Sequence, residues 1–197
     1  MSTMTNIPGY TFGSTTASSP VTLQDFDLMK KSVLFGDDDV KYLRMSHEVL
    51  KGHTSEILDV WYGFVGANPH LLSAFSDPKS GQPDAAYLAA VRRRFEQWVL
   101  DTARAEYDQR WLDYQHEIAL RHHRTKKNVT DGATAAAIVP FRDLFLLIFP
   151  VTFTLRPFLA RGGHSAEDVE RMYYAWLKSC LLQLTLWSHP YVKAGDF

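Results

Sequence analysis

The chain carries one cysteine, Cys180, among its 197 residues. A lone thiol excludes an intramolecular disulfide and any zinc or iron–sulfur centre built from several cysteines. A surplus of either charge is also missing: 21 Lys and Arg stand against 22 Asp and Glu, a formal net charge of -1. Such a chain is not suited to hold a polyanion, and no nucleic-acid partner is expected. No run of roughly 18 apolar residues occurs. The nearest, residues 144–155, is shorter and interrupted by Pro150, so no membrane association is expected. Residues 1–20 are polar and lack a basic stretch followed by an apolar one, so no secretory leader is expected and the cytoplasm is the expected location. Strand-like alternation, hairpin turns, internal repeats, phosphate-cradling glycine loops and nucleophile triads are all absent from the pattern.

What remains is helical and aromatic. Twelve Phe, nine Tyr and five Trp suit packing against a flat ligand, and suit an ordinary core equally well. Thr22 and Asp25 read as a capping pair opening a helix that turns Leu23, Phe26 and Met29 inward. Asp37-Asp38-Asp39 favours a second helix start, with Val40, Leu43, His47 and Leu50 on its inner face. A third helix is predicted over 54–66, a short turn after Asn68-Pro69, and a long helix over 84–102 carrying Leu88, Val91, Phe95, Trp98, Val99 and Thr102. A strongly apolar helix is predicted over 136–159, kinked or interrupted at Pro150. The last helix opens at Ser165 and buries Val169, Met172, Tyr173, Trp176, Cys180, Leu184 and Trp187. The expected class is all-α, with seven or eight helices, divided into an N-terminal extension (1–20) and one domain (21–197).

The most informative stretch is Arg121-His122-His123-Arg124-Thr125-Lys126-Lys127. It ends a helix on which Trp111, Gln115, Ile118, Ala119 and His122 share one side. Two readings of His122 stand open: a charged imidazole complementing the helix C-terminus, or an inward-facing metal ligand. His123 is turned about 100° away, so if either binds a metal the stripe favours His122. No second histidine or carboxylate stands at ligand spacing, which argues against a multi-residue metal site. The basic run reads as a solvated helix end. Of Arg92-Arg93-Arg94, which fan around the helix, at most one or two can reach the rim of a pocket. Cys180 reads as a packing residue, and Tyr62 pairs an apolar ring with a hydroxyl that needs a partner if buried.

Several motifs then add a family resemblance. Ile7-Pro8-Gly9-Tyr10, Trp61-Tyr62-Gly63-Phe64-Val65, Tyr87-Leu88, Val91-Arg92 and Arg94-Phe95 occur in order. They are followed by Leu112-Asp113-Tyr114-Gln115, Leu120-Arg121-His122-His123-Arg124 with Lys126-Lys127, Arg156-Pro157-Phe158-Leu159-Ala160, and Leu186-Trp187-Ser188-His189-Pro190-Tyr191. Together they resemble the protoglobins from end to end. The resemblance implies a globin fold, a helix-on-helix sandwich with an extra N-terminal helix, and a five-coordinate b-type haem held by His122. It implies haem contacts from Tyr87, Leu88, Val91, Arg94, Ile118, Leu144, Leu147 and Val151. A distal pocket of Trp61, Tyr62, Val91 and Phe95 follows, with Tyr62 as the donor to bound dioxygen and Arg94 facing a haem propionate. The N-terminal segment would cover the haem edge, and gases would enter by apolar tunnels. Leu147 stands where the archaeal relatives carry an aromatic residue, which implies more room in the pocket. A homodimer through the last two long helices is also implied.

Three functions are weighed. The first is reversible binding of dioxygen, carbon monoxide or nitric oxide for sensing or scavenging. The second is a haem enzyme that removes nitric oxide, peroxynitrite or peroxide, which would need an outside reductant for nitric oxide. The third is a helical interaction protein with no cofactor. A sensor ending at Phe197 would have to pass its signal to a separate partner.

Overall fold

The computed structural model describes residues 7–14 and 16–197. Residues 1–6 and Thr15, which belong to the expected extension, lie outside the described residues. Among the described residues there are nine α-helices and no strand, only an isolated bridge between Ser76 and Pro83. The helices are α1 (Leu23–Ser32), α2 (Asp37–Leu50), α3 (Thr54–Gly66), α4 (Pro69–Leu72), α5 (Ala85–Arg104), α6 (Gln109–His122), α7 (Phe141–Leu146), α8 (Ile148–Leu159) and α9 (Ala166–Ser188).

Side chains that compete for backbone hydrogen bonds set the starts. Thr22 and Asp25 form a reciprocal capping box on α1. Asp84, Asp108 and Ser165 accept from backbone N–H groups one turn into α5, α6 and α9. α9 packs against α2, α6, α7 and α8, while α2 also packs on α5 and α3 on both α5 and α8. Phe26, Leu43, Leu50, Leu58, Trp111, Leu155, Met172 and Trp176 are fully buried in this helix-on-helix arrangement. Two indole N–H groups register the layers. Trp176 donates to Ser46 Oγ at 2.8 Å, tying α9 to α2, and Trp98 donates to Gln183 Oε1 at 2.7 Å, tying α5 to α9.

One predicted helix is corrected. The span 136–159 is two helices, beginning only at Phe141 and breaking at Leu147. Pro150 has no N–H for the Leu146 carbonyl, and its ring crowds that carbonyl, so α7 stops at Leu146. In the first turn of α8 the same proline is tolerated. Pro140 keeps Val139 out of helical geometry and delays α7. Phe64, on α3, is 38% exposed. The stretch Phe141–Gly162 is long and apolar enough to cross a membrane by length and composition, but its break at Leu147 and its packing on α3 and α9 make it a wall of the bundle.

Candidate functional site

α6 carries the site's main chemistry. Asp108 caps its start, and it ends at His122 because His123 turns extended, with ψ 158°. On the stripe, Trp111, Gln115 and Ala119 are buried, while Ile118 and His122 front a cavity. His122 Nδ1 lies 2.9 Å from the Ile118 carbonyl. A carbonyl only accepts, so Nδ1 carries the proton and Nε2 keeps its lone pair. The imidazole stacks on Trp187, ring centres 5.1 Å apart at 15°, and Trp187 in turn donates from Nε1 to Gln115 Oε1 at 2.8 Å. The half-buried ring lies on the cavity wall. Burial lowers its pKa, and the Ile118 hydrogen bond opposes that shift without cancelling it. The charged, dipole-complementing reading is therefore corrected: this is a neutral imidazole aimed at a cavity.

That cavity measures about 260 Å³. A single buried water needs roughly 10–15 Å³ on such a scale, so the space suits a ligand of many atoms. α3 contributes Trp61 and Tyr62; α5 contributes Tyr87, Val91, Arg94 and Phe95; α7 and α8 contribute Leu144 and Val151, with Leu147 at the break between them. Trp61 and Phe95 meet edge to face at 5.9 Å, and Tyr62 meets Phe75 at 6.3 Å. Leu88 is half-buried and lies off the lining. The facing positions of α5 run 87, 91, 94, 95 and 98, and at 100° per residue position 88 falls just past their edge.

The basic run also needs correction, since it is not a solvated end. Arg121 pairs with Glu117 at 2.9 Å and donates to Gly9 O and Thr11 Oγ1. Lys126 pairs with Glu117 at 2.7 Å, and Lys127 is 6% exposed. Of the arginine triplet, Arg92 turns to Asp59 and Glu96, Arg93 is exposed, and only Arg94 reaches the cavity. There it is bound in a two-pronged pair to Asp131, at 2.9 and 2.6 Å, and donates to Pro8 O at 3.0 Å.

Sequence reasoning did not place Tyr114, Arg121, Lys127, Asp131 or Gln183 at the cavity. Trp187 and Cys180 were read as core, and they line it too. Burial pushes the Cys180 thiol up to about 12, so it is no thiolate ligand.

Tyr62 completes the picture. Its hydroxyl is the one buried side-chain polar atom among the described residues that lacks a hydrogen-bond partner. A buried orphan of this kind costs free energy unless a ligand meets it. Burial also raises the hydroxyl's pKa, so it is a proton donor rather than an anion. Among the described residues no cluster of three His, Cys, Asp or Glu is placed to hold a metal ion. A metal at His122 would therefore bring its other ligands with it, inside a large group that the aromatic and aliphatic walls accept. One basic nitrogen, apolar walls and one unspent hydroxyl fit a flat metal-bearing macrocycle.

No curated protein matches the chain. The protoglobin family model matches residues 22–197. With nearly the whole chain matched and the helical architecture in place, the chain belongs to the protoglobins, globin-fold proteins whose cofactor is haem and whose ligands are gases.

Proposed function

We propose that this protein holds haem b in the cavity by His122 and binds dioxygen, carbon monoxide or nitric oxide there. The observation that carries the reading is the His122 ring: Nδ1 donates to Ile118 O, and Nε2 keeps a free lone pair beside the cavity. Held there by His122, haem would supply an iron able to bind a diatomic gas. Tyr62 supplies a hydrogen bond to a polar gas ligand. Trp61, Val91, Phe95, Ile118, Leu144, Leu147 and Val151 keep water out and give the porphyrin an apolar seat. Tyr87 and Arg94 stand at the polar part of the wall.

Peroxide chemistry is a weaker reading. It profits from a distal acid and base, and Trp61, Val91 and Phe95 offer neither, while Tyr62 holds its proton tightly. Removal of nitric oxide asks less of the protein and remains the enzymatic alternative, given an external reductant. The same proposal places residues 1–20 as an extension, the protein in the cytoplasm and the chain as a homodimer through α8 and α9, where Phe149, Phe153 and Tyr174 are exposed.

The test is His122→Ala. The purified variant is expected to lose haem, and a Soret band of wild-type position and stoichiometry would overturn the assignment. A wild-type preparation that is colourless and refuses added haemin would favour a cofactor-free interaction protein.

A further inference from the structure

Three cations line the cavity, Arg94, Arg121 and Lys127. Two are already committed within the protein. The Arg94 guanidinium is taken by both oxygens of Asp131 and by Pro8 O. Arg121 is taken by Glu117, Gly9 O and Thr11 Oγ1. Both arginines therefore latch the 8–11 segment onto the helices that bound the cavity, and the charge of each is already met by a carboxylate.

Lys127 differs. Its ammonium donates to Tyr87 Oη at 2.7 Å and to Ala74 O at 2.9 Å, and its third proton has only a long 3.5 Å approach to Asn128 Oδ1. Among the described residues it makes no ion pair with a carboxylate, although only 6% of it is exposed. It lies 4.6 Å from the Tyr87 ring centre and 5.8 Å from that of Phe75. Burial brings its pKa down to about 8, with Asp131 opposing weakly. Lysines this deep are ordinarily paired with an anion.

We infer that Lys127, together with the Tyr87 hydroxyl, is the seat for a carboxylate of the cavity's ligand, and that Arg94 is a latch for the N-terminal segment. The inference rests on the haem reading, because haem b carries two carboxylates on one edge of an otherwise apolar ring. Tyr87 Oη now donates to the Lys127 carbonyl at 3.1 Å. A carboxylate arriving at Lys127 would take the third ammonium proton and stand beside that hydroxyl. The latch role for Arg94 belongs to the same inference: its guanidinium is bound by both oxygens of Asp131.

Haemin and haemin dimethyl ester, titrated into the cofactor-free protein, separate the possibilities. The wild type is expected to bind the free acid more tightly than the ester. Lys127→Met should reduce that preference about tenfold or more, the scale of a charge-assisted hydrogen bond. Lys127→Gln should do the same, so that if one variant fails to fold the other decides. Arg94→Met should keep the preference while weakening both porphyrins alike. Full preference in the Lys127 variants, or its loss in Arg94→Met instead, overturns the inference. A wild type that binds acid and ester equally overturns it and leaves the haem reading standing; one that binds neither removes both.

Discussion

At the scale of single residues, the two groups that matter most are legible to different depths. The helical stripe from Trp111 to His122 points the imidazole inward, but not which nitrogen is free; that depends on the Ile118 carbonyl one turn back. Lys127 is illegible altogether, because a run of cations looks solvated until the chain after α6 folds it under Tyr87 and Phe75. Tyr62 gives a two-sided prediction. In the cofactor-free protein its hydroxyl is buried and unpaired, so Tyr62→Phe should stabilise that form by about 1–2 kcal/mol in urea unfolding. In the loaded protein the same change removes a donor, so dioxygen should leave roughly tenfold faster while carbon monoxide, a poorer acceptor, changes by less than about twofold. Equal effects on the two gases, or a destabilised cofactor-free form, would remove Tyr62 from its assigned role.

At the scale of elements, capping chemistry was readable where the residues act locally, as at Thr22 and Ser165. The α7–α8 break was misplaced because the sequence names Pro150 as the disturbance while the helix fails at the residues just before it. α1 ends in a way the sequence disguised. Phe35 N bonds Lys30 O at 2.9 Å and Leu34 N bonds Lys31 O at 3.1 Å, the paired closure that normally wants glycine at the second-last position. Leu34 fills it at φ 53° and is 82% exposed, so the strain is not repaid by packing. Leu34→Gly should therefore raise stability by about 1 kcal/mol, read as a higher urea midpoint at unchanged slope. Glu117 acts between elements, joining α6 to the following loop through Lys126 and, through Arg121, to residues 9–11. Burial alone would raise its pKa, but Lys126 and Arg121 outweigh that and leave it lowered. A lowered folded pKa means stabilisation present above the unfolded value, about 4.3, and lost as pH falls below it. The stability gap between wild type and Glu117→Gln should hold steady from pH 7 to 5 and shrink below about pH 4. A gap that widened in acid would contradict the pairing.

At the scale of the whole molecule, the sequence marks residues 144–155 as apolar but not which of those side chains the bundle covers. Leu144, Leu147 and Val151 turn to the cavity, whereas Leu146, Phe149 and Phe153 are 68%, 66% and 58% exposed. Phe149 and Phe153 stack on each other at 5.5 Å and 18°, one turn apart on α8. Large apolar groups left on a surface mark a place where something else packs. α9 lies beside α8 and exposes Tyr174 and Leu181 as well, so a second copy meeting the same two helices would cover all four positions under twofold symmetry. Replacing both phenylalanines by glutamate puts charge where an interface needs apolar contact. At roughly 2 kcal/mol for each central aromatic, and with four lost across a twofold contact, the proposed dimer should weaken by about a millionfold. Sedimentation of the wild type and of the Phe149→Glu, Phe153→Glu variant would then show a dimer and a monomer at the same micromolar concentration. Because neither side chain lines the cavity, the variant should keep its Soret band. A variant that stays dimeric would place the contact elsewhere, and a monomer that has also lost haem would show that this face supports the cavity instead.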